Sequence, residues 1–248
     1  LELSSAASDV YKRQTCSCQP AASRPSGLAR PWWRARRFSP RALADPVFDA
    51  RLRPLVDRIL DPVGAFVARR GVTANQVSFA GFGLGIAAAI AVALGFEIAA
   101  VVLIIANRVC DGLDGAVARS AGGTDLGAYL DITLDFLFYS AVPFAFAVAD
   151  PANAMAAAFL IFRFVGTGSS FLAFAIIAQK RGISTEIRGK KGFFYLGGLT
   201  EGSETIIFLL VVAFRPDLFV PLAWAFGCLC WITTITRVRY AIESFSDL

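Results

Sequence analysis

Residues 111–135 read DGLDGAVARSAGGTDLGAYLDITLD, and this stretch decides how the chain is read. It holds five aspartates and one arginine. The segments on either side, AAVVLIIANRVC (99–110) and FLFYSAVPFAFAVA (136–149), read as apolar as a lipid tail. An unpaired aspartate at the centre of a membrane helix costs about 2.5–3.5 kcal/mol on insertion scales. Acids at this density in such a setting call for a chemical reason.

The setting itself follows from composition. Of 248 residues, 56% are hydrophobic and 17% charged, against about 25% charged in an average soluble domain. Residues 77–96 and 218–236 lack charge altogether. At 1.5 Å per residue each run can cross the roughly 30 Å hydrocarbon core. One such run would pass for a buried helix of a soluble domain; a chain full of them reads as an all-α integral membrane protein.

Six transmembrane helices are expected. The first opens on the capping box Thr73-x-x-Gln76 and runs to about residue 96. Within it, GFGLG sets Gly81 and Gly85 four apart, a close-packing face. The others fall at about 98–118, 127–148 and 152–179, then a span ending at Phe214, then 218–236. Together they make a six-helix domain over 72–240, followed by a short C-terminal tail, 241–248.

Ahead of it, residues 45–71 read as an amphipathic helix lying in the membrane interface. Phe48, Leu52, Leu55, Val56, Ile59, Val63, Phe66 and Val67 share one stripe, and Pro54 or Pro62 offers a break. Residues 1–44 form a basic, Pro- and Ser-containing tail expected to be disordered. It suits anionic headgroups or a transit peptide, and SSAASDVYKRQ (4–14) resembles translated adapter read-through. Membrane lipids, not nucleic acid, are its expected surroundings.

Lys and Arg gather on one side of the expected spans. Arg69, Arg70, Arg119, Lys180, Arg181, Arg188, Lys190, Lys191, Arg237 and Arg239 face one way, against Arg215 alone on the other. The positive-inside rule then makes both termini, and the aspartate cluster, cytoplasmic. The five cysteines form no C-x-x-C pair and histidine is absent. Zinc and dithiol chemistry are not suggested, and proton transfer falls to carboxylates, lysine, tyrosine or water.

At helical spacing the aspartates sort themselves. Asp111, Asp114, Gly115 and Ala118 share one face of the second span; Gly127, Asp131 and Asp135 share one face of the third. A short turn through Gly122 and Gly123 makes the two helices antiparallel neighbours, with Thr124 or Asp125 as cap. Four carboxylates crowded at low dielectric need compensation, and Arg119 can neutralise only one. All-oxygen ligands select Mg²⁺, Mn²⁺ or Ca²⁺. Two ions about 3.5–4 Å apart would clamp a phosphoryl transfer. Gly115 and Gly127 would let a nucleotide diphosphate approach the backbone, with Arg119 on its charge.

The pattern D-x-x-D-G-x-x-A-R followed by G-x-x-x-D-x-x-x-D resembles the signature of the CDP-alcohol phosphatidyltransferases. All eight fixed positions match: Asp111, Asp114, Gly115, Ala118, Arg119, Gly127, Asp131 and Asp135. Seven residues separate Arg119 from Gly127, one fewer than the usual spacing, which shortens the turn and leaves the helix faces intact. The likeness extends over about residues 45–240. It implies a six-span membrane enzyme in which an alcohol hydroxyl attacks the β-phosphorus of a CDP-alcohol, usually CDP-diacylglycerol, and CMP leaves. Asp111, Asp114 and Asp131 would ligate Mg²⁺ or Mn²⁺. Asp135 would be the general base and touch a second ion. A homodimer is also consistent with the family.

The same likeness places TANQVS (73–78) near the nucleotide through Asn75, although Ala74 stands where proline is common; a plain helix cap explains it as well. Arg163, in mid-span, together with Arg188, Lys190 and Lys191, would suit an acceptor carrying its own phosphate, while the loop cations also fit ordinary topology. Glu201 and Glu204 either favour a helix N-terminus or pair Arg163. Two other classes remain open on the sequence alone. A divalent-cation transporter would need acids near the midplane and a polar path to both sides. A catalytically silent interaction protein would show a broken motif.

Overall fold

The computed structural model describes residues 49–181 and 202–246, with side chains from Val56 onward. The basic tail 1–44, Arg188, Lys190, Lys191 and Glu201 lie outside the described residues. Among those described, all regular structure is helical: α1 (Asp49–Arg69), α2 (Ala74–Ala93), α3 (Glu97–Ala121), α4 (Asp125–Ala149), α5 (Ala154–Lys180), α6 (Gly202–Phe214) and α7 (Phe219–Phe245). The 3₁₀ turns Pro151–Asn153 and Pro216–Leu218 lead into α5 and α7.

Local chemistry sets the helix ends. The Gln76 N–H donates to Thr73 Oγ1 (3.3 Å) and the Thr73 N–H to Gln76 Oε1 (2.9 Å), the reciprocal pair of a capping box. Of the two caps offered for α4, Thr124 serves, taking the Gly127 N–H at 3.0 Å. Gly122 ends α3 at φ +95°, a backbone state that glycine adopts without a steric penalty.

Four helical stretches are long and apolar enough to cross a membrane: Ala74–Ala93, Asp125–Ala149, Pro151–Lys180 and Pro216–Phe245. Two of the six expected spans fall short of that standard, for separate reasons. α3 has the length, at 25 residues, but carries Glu97, Arg108, Asp111, Asp114 and Arg119. α6 is an apolar helix of 13 residues, about 20 Å long.

Burial is inverted relative to a soluble protein. Asp114, Asp131, Asp135, Arg163 and Arg237 are buried, while Ile98, Phe144, Met155, Val165 and Ile176 are exposed. Large apolar side chains over the exterior, with charged ones inside, suit a lipid surrounding. The apolar core, with Ile104, Phe138, Val142, Phe146, Leu160, Leu209, Val212 and Phe219, lies in the half of the bundle away from the α3–α4 turn. Phe146 and Phe219 stack there at 4.1 Å.

The packing order corrects one expectation. α3 and α4 face each other and meet through side chains, Arg108 reaching Asp135 and Tyr139, while their backbones stay apart; α2 packs along both and forms their common wall. The glycine pair explains this. A Cβ at Gly81 would lie 2.8 Å from Cys110 Cβ on α3, and one at Gly85 2.7 Å from the Phe138 ring on α4. The G-x-x-x-G face thus serves two partners, and a gap is left between the aspartate-bearing helices.

Two boundaries also differ. α1 runs unbroken through Pro54 and Pro62. It lies on α3 because Gly64 sits where a Cβ would meet Ala116 Cβ at 2.5 Å, and Leu60 fills the space over Gly112. Val56, Ile59, Val63 and Phe66 remain an exposed apolar stripe on its other side. At the other end, α7 continues to Phe245 instead of giving way to a tail at 241. Phe174 stacks on Phe245 at 4.9 Å, and Arg181 NH2 donates to the Phe245 carbonyl (3.1 Å), tying this turn to α5.

Candidate active site

The gap between α3 and α4 holds two adjoining cavities. The smaller, about 20 Å³, is lined by Asp111, Asp114, Asp131 and Asp135 together with Ser78 and Arg108. The larger, about 410 Å³, is lined by Asn75, Gly115, Ala118, Arg119 and Gly127 among others. Ser78, Asp114 and Asp131 border both. The structure therefore brings the four aspartates to one chamber and the five expected nucleotide residues to the cleft beside it. The cleft falls within the roughly 300–1,000 Å³ usual for ligand sites.

Each wall has a local cause. The i, i+3 and i+4 spacings turn Asp111 and Asp114 to one side of α3, and Asp131 and Asp135 to the facing side of α4. α2 supplies Ser78, whose hydroxyl donates to Asp114 Oδ2 at 2.5 Å, a charge-assisted bond. Asn75 stands opposite Gly127, where a Cβ would come within 3.2 Å of Asn75 Oδ1. Glycine at 127 keeps that side of the cleft open.

The counter-charge differs from expectation. Arg119 pairs with α1 while bordering the cleft, its NH2 lying 2.7 Å from Asp61 and 3.1 Å from Asp57. It sits one and a half turns beyond Asp114, on the side that α1 covers. The charge inside the chamber is Arg108, which the apolar reading of residues 99–110 passed over. Its NH2 donates to Asp135 Oδ1 (2.8 Å), and NH1 reaches Asp111 Oδ2 (3.5 Å) and the Tyr139 hydroxyl (3.1 Å). Nε donates to Asn107 Oδ1 at 2.8 Å. The guanidinium lies 4.7 Å from the Phe138 ring centroid, close enough for a cation–π contact. Arg108 stands three residues before Asp111, on the same helix face, so the signal was present in the sequence.

Do these residues fit a divalent ion? The donors are all carboxylate or hydroxyl oxygens, the set that hard cations prefer. The chamber exceeds the roughly 10–15 Å³ needed for one water-sized occupant. Among the described residues, however, no three ligating side chains already form a cage. The site fits such an ion in chemistry and size, with Arg108 lying 2.8 Å from Asp135 and 3.5 Å from Asp111.

Arg163 lines neither cavity. It is 2% exposed, its guanidinium lies against the Phe164 and Phe226 rings, and NH1 donates to Cys230 Sγ. Nε and NH2 have no hydrogen-bond partner. The pairing with Glu204 does not form; Glu204 lies in the first turn of α6 and accepts from Ser203 Oγ at 3.1 Å.

Known proteins resemble this geometry and sequence. The YnjF inner membrane protein of Escherichia coli is 47% identical over 193 residues, spanning 77% of this chain and 94% of that protein. The archaetidylinositol phosphate synthase of Pyrococcus horikoshii is 26% identical over 77% of this chain and 95% of its own. Mycobacterium tuberculosis phosphatidylinositol phosphate synthase (PgsA1), solved with CDP-DAG bound, superposes with a TM-score of 0.56 at 25% identity, covering 75% of this chain and 94% of that one. The same enzyme in complex with manganese and citrate shares the fold, with a TM-score of 0.58 at 23% identity over 73% of this chain and 88% of that one. The family model for CDP-alcohol phosphatidyltransferases matches residues 71–238, and this chain belongs to that family of enzymes.

Proposed function

We propose that the protein transfers the phosphatidyl group of CDP-diacylglycerol to the hydroxyl of an alcohol acceptor and releases CMP. The observation that carries this reading is the adjacency of the two cavities. An acidic chamber sized for an ion opens beside a cleft sized for a nucleotide, with Ser78, Asp114 and Asp131 on the border. In the reaction the acceptor oxygen bonds to the β-phosphorus, and the bridge to the α-phosphate breaks. CMP leaves with the bridging electron pair, and the hydroxyl proton passes to a carboxylate.

Asp111, Asp114 and Asp131 would hold the Mg²⁺ or Mn²⁺ ion. When bound, the ion supplies charge stabilisation on the diphosphate. Asp135 takes the proton. Its Oδ1 is engaged by Arg108 at 2.8 Å, so Oδ2, 3.5 Å from the Tyr139 hydroxyl, is the oxygen for that role. Gly115, Ala118 and Gly127 keep side chains out of the path of the headgroup, and Asn75 stands where the base or ribose would lie. Arg119 meets the diphosphate once it leaves Asp57 and Asp61.

The six-span reading fits this chemistry. α3 crosses the membrane with its charged half turned to the site. The basic side holds Arg69, Arg70, Arg119, Lys180 and Arg181. Under the positive-inside rule the site then faces the cytoplasm of a bacterial cell, with both termini on that side. The exposed stripe of α1 lies in the interface, and the acyl chains of the donor run along the apolar flanks. Relatives named as archaetidylinositol phosphate and phosphatidylinositol phosphate synthases favour an anionic acceptor such as an inositol phosphate. Arg188, Lys190 and Lys191 are the cations that would meet it.

The test is a panel of alcohol and phospho-alcohol acceptors offered to the purified protein in detergent with CDP-diacylglycerol and Mg²⁺ or Mn²⁺. CMP release with at least one acceptor, abolished by EDTA, is expected. No CMP release across the panel, with divalent-ion uptake into vesicles instead, would overturn the reading.

A further inference from the structure

Arg119 borders the nucleotide cleft, yet two of its nitrogens are engaged by carboxylates of α1. We propose that Asp57 and Asp61 are positioning residues that compete with the phosphates of the nucleotide for the Arg119 guanidinium, so that the cleft holds its nucleotide loosely and CMP leaves readily. The inference rests on the reading of the larger cavity as the nucleotide cleft.

The donors of Arg119 are already committed. Nε donates to Asp61 Oδ1 at 3.1 Å, and NH2 donates to the same oxygen at 2.7 Å and to Asp57 Oδ1 at 3.1 Å. The two acids are four residues apart and share one face of α1. Neither lines the cleft, whereas Arg119 does, beside Gly115, Ala118 and Gly122. A phosphate entering there meets a cation whose charge two carboxylates already offset. It gains the charge-assisted bonds of Nε and NH2 by displacing those carboxylates.

The acids do not draw back with their helix. α1 is seated on α3 where a Cβ at Gly64 would lie 2.5 Å from Ala116 Cβ and 2.7 Å from its carbonyl carbon, and Leu60, next to Asp61, covers Gly112. Exchange of partners therefore falls to the side chains. The pairs are open enough to exchange. Side-chain exposure is 25% for Arg119, 30% for Asp57 and 51% for Asp61, and ion pairs this accessible to water are weak. A fully buried pair would keep Arg119 from the nucleotide altogether, because breaking it leaves a charge stranded. A weak pair instead subtracts from the binding of donor and product nucleotide alike. Loosening both raises KM and removes a brake on product release.

The experiment measures binding of CDP to the full chain in detergent with Mn²⁺ by isothermal titration calorimetry. The Asp57→Asn/Asp61→Asn variant is expected to bind CDP roughly three- to tenfold more tightly than wild type. Its KM for CDP-diacylglycerol is expected to fall by the same factor, while kcat does not rise. The gain is expected to vanish when Arg119→Gln is added, and Asp57→Glu/Asp61→Glu, which keeps both charges, is expected to bind as wild type does. Should the double Asn variant not fold, Asp61→Asn alone decides, with CDP bound at least about twofold more tightly. Weaker or unchanged CDP binding in the Asn variants, or an equal gain in the Arg119→Gln background, would overturn the proposal and leave the transferase reading standing. No CDP bound by any of these proteins would overturn both.

Discussion

Arg108 and Arg163 both lie inside this bundle, and their surroundings differ. Arg108 meets two aspartates, an asparagine, a tyrosine and an aromatic face. Arg163 meets a thiol and two aromatic rings, and two of its nitrogens have no partner. The cost of removing a guanidinium from water is similar for both. At Arg108 it is offset by carboxylates that would otherwise be equally costly, so the charge and the site stabilise each other. At Arg163 no opposite charge is in contact among the described residues. Arg108 therefore stands in the candidate site, while Arg163 packs between the Phe164 ring of α5 and the Phe226 ring of α7.

The largest expected effect comes from removing Arg108's principal partner. Asp135→Asn should lower CMP release by about 10²–10⁴-fold, the range for a general base, while binding of a CDP-lipid persists in a filter or calorimetric assay. Unchanged turnover would take Asp135 out of the base role. Next is Arg108→Leu, which leaves Asp135 buried without its partner. Its unfolding midpoint in EDTA should fall by the equivalent of about 3–5 kcal/mol, as when one member of a buried pair is lost, and added Mn²⁺ should recover part of it. A midpoint unmoved in EDTA would show that the carboxylates do not depend on Arg108.

Arg163→Met sharpens the contrast from the other side. Replacing a poorly partnered buried charge with an apolar side chain should leave the midpoint unchanged or raise it by the equivalent of about 1–4 kcal/mol. CMP release should hold with both neutral and phosphorylated acceptors. A rise in KM confined to phosphorylated acceptors would restore Arg163 to acceptor binding. The smallest effect belongs to a third arginine. Arg119 pairs with Asp57 and Asp61 at side-chain exposures of 30% and 51%, so Asp61→Asn should cost less than about 1 kcal/mol in the same melt.

Much of the site was legible because helical spacing sorts the aspartates. The faces of α3 and α4 and the Thr73 capping box follow from intervals of three and four, whereas Asn75 and Ala118 entered the cleft set through the resemblance to the family's motifs. Arg108 was missed because one charge in twelve residues disappears into an apolar average, although its spacing to Asp111 follows the same rule. The separation of α3 from α4 was not legible. A short turn implies contact, and only the packing of α2 through Gly81 and Gly85 shows that a third helix holds them apart. The last turns of α7 read as a polar tail because Arg239, Glu243 and Asp247 dominate the composition. The aromatic contacts that keep the helix going to Phe245 come from α5, far away in sequence.

The most direct measurement follows from Asp131, which borders both the ion chamber and the nucleotide cleft. Mn²⁺-dependent CMP release from CDP-diacylglycerol and Mn²⁺-induced thermal stabilisation are to be measured side by side in wild type and Asp131→Asn. If the two cavities form one site, the variant loses both together and keeps its metal-free melting midpoint. An Asp131→Asn protein that still releases CMP at the wild-type rate would contradict the account.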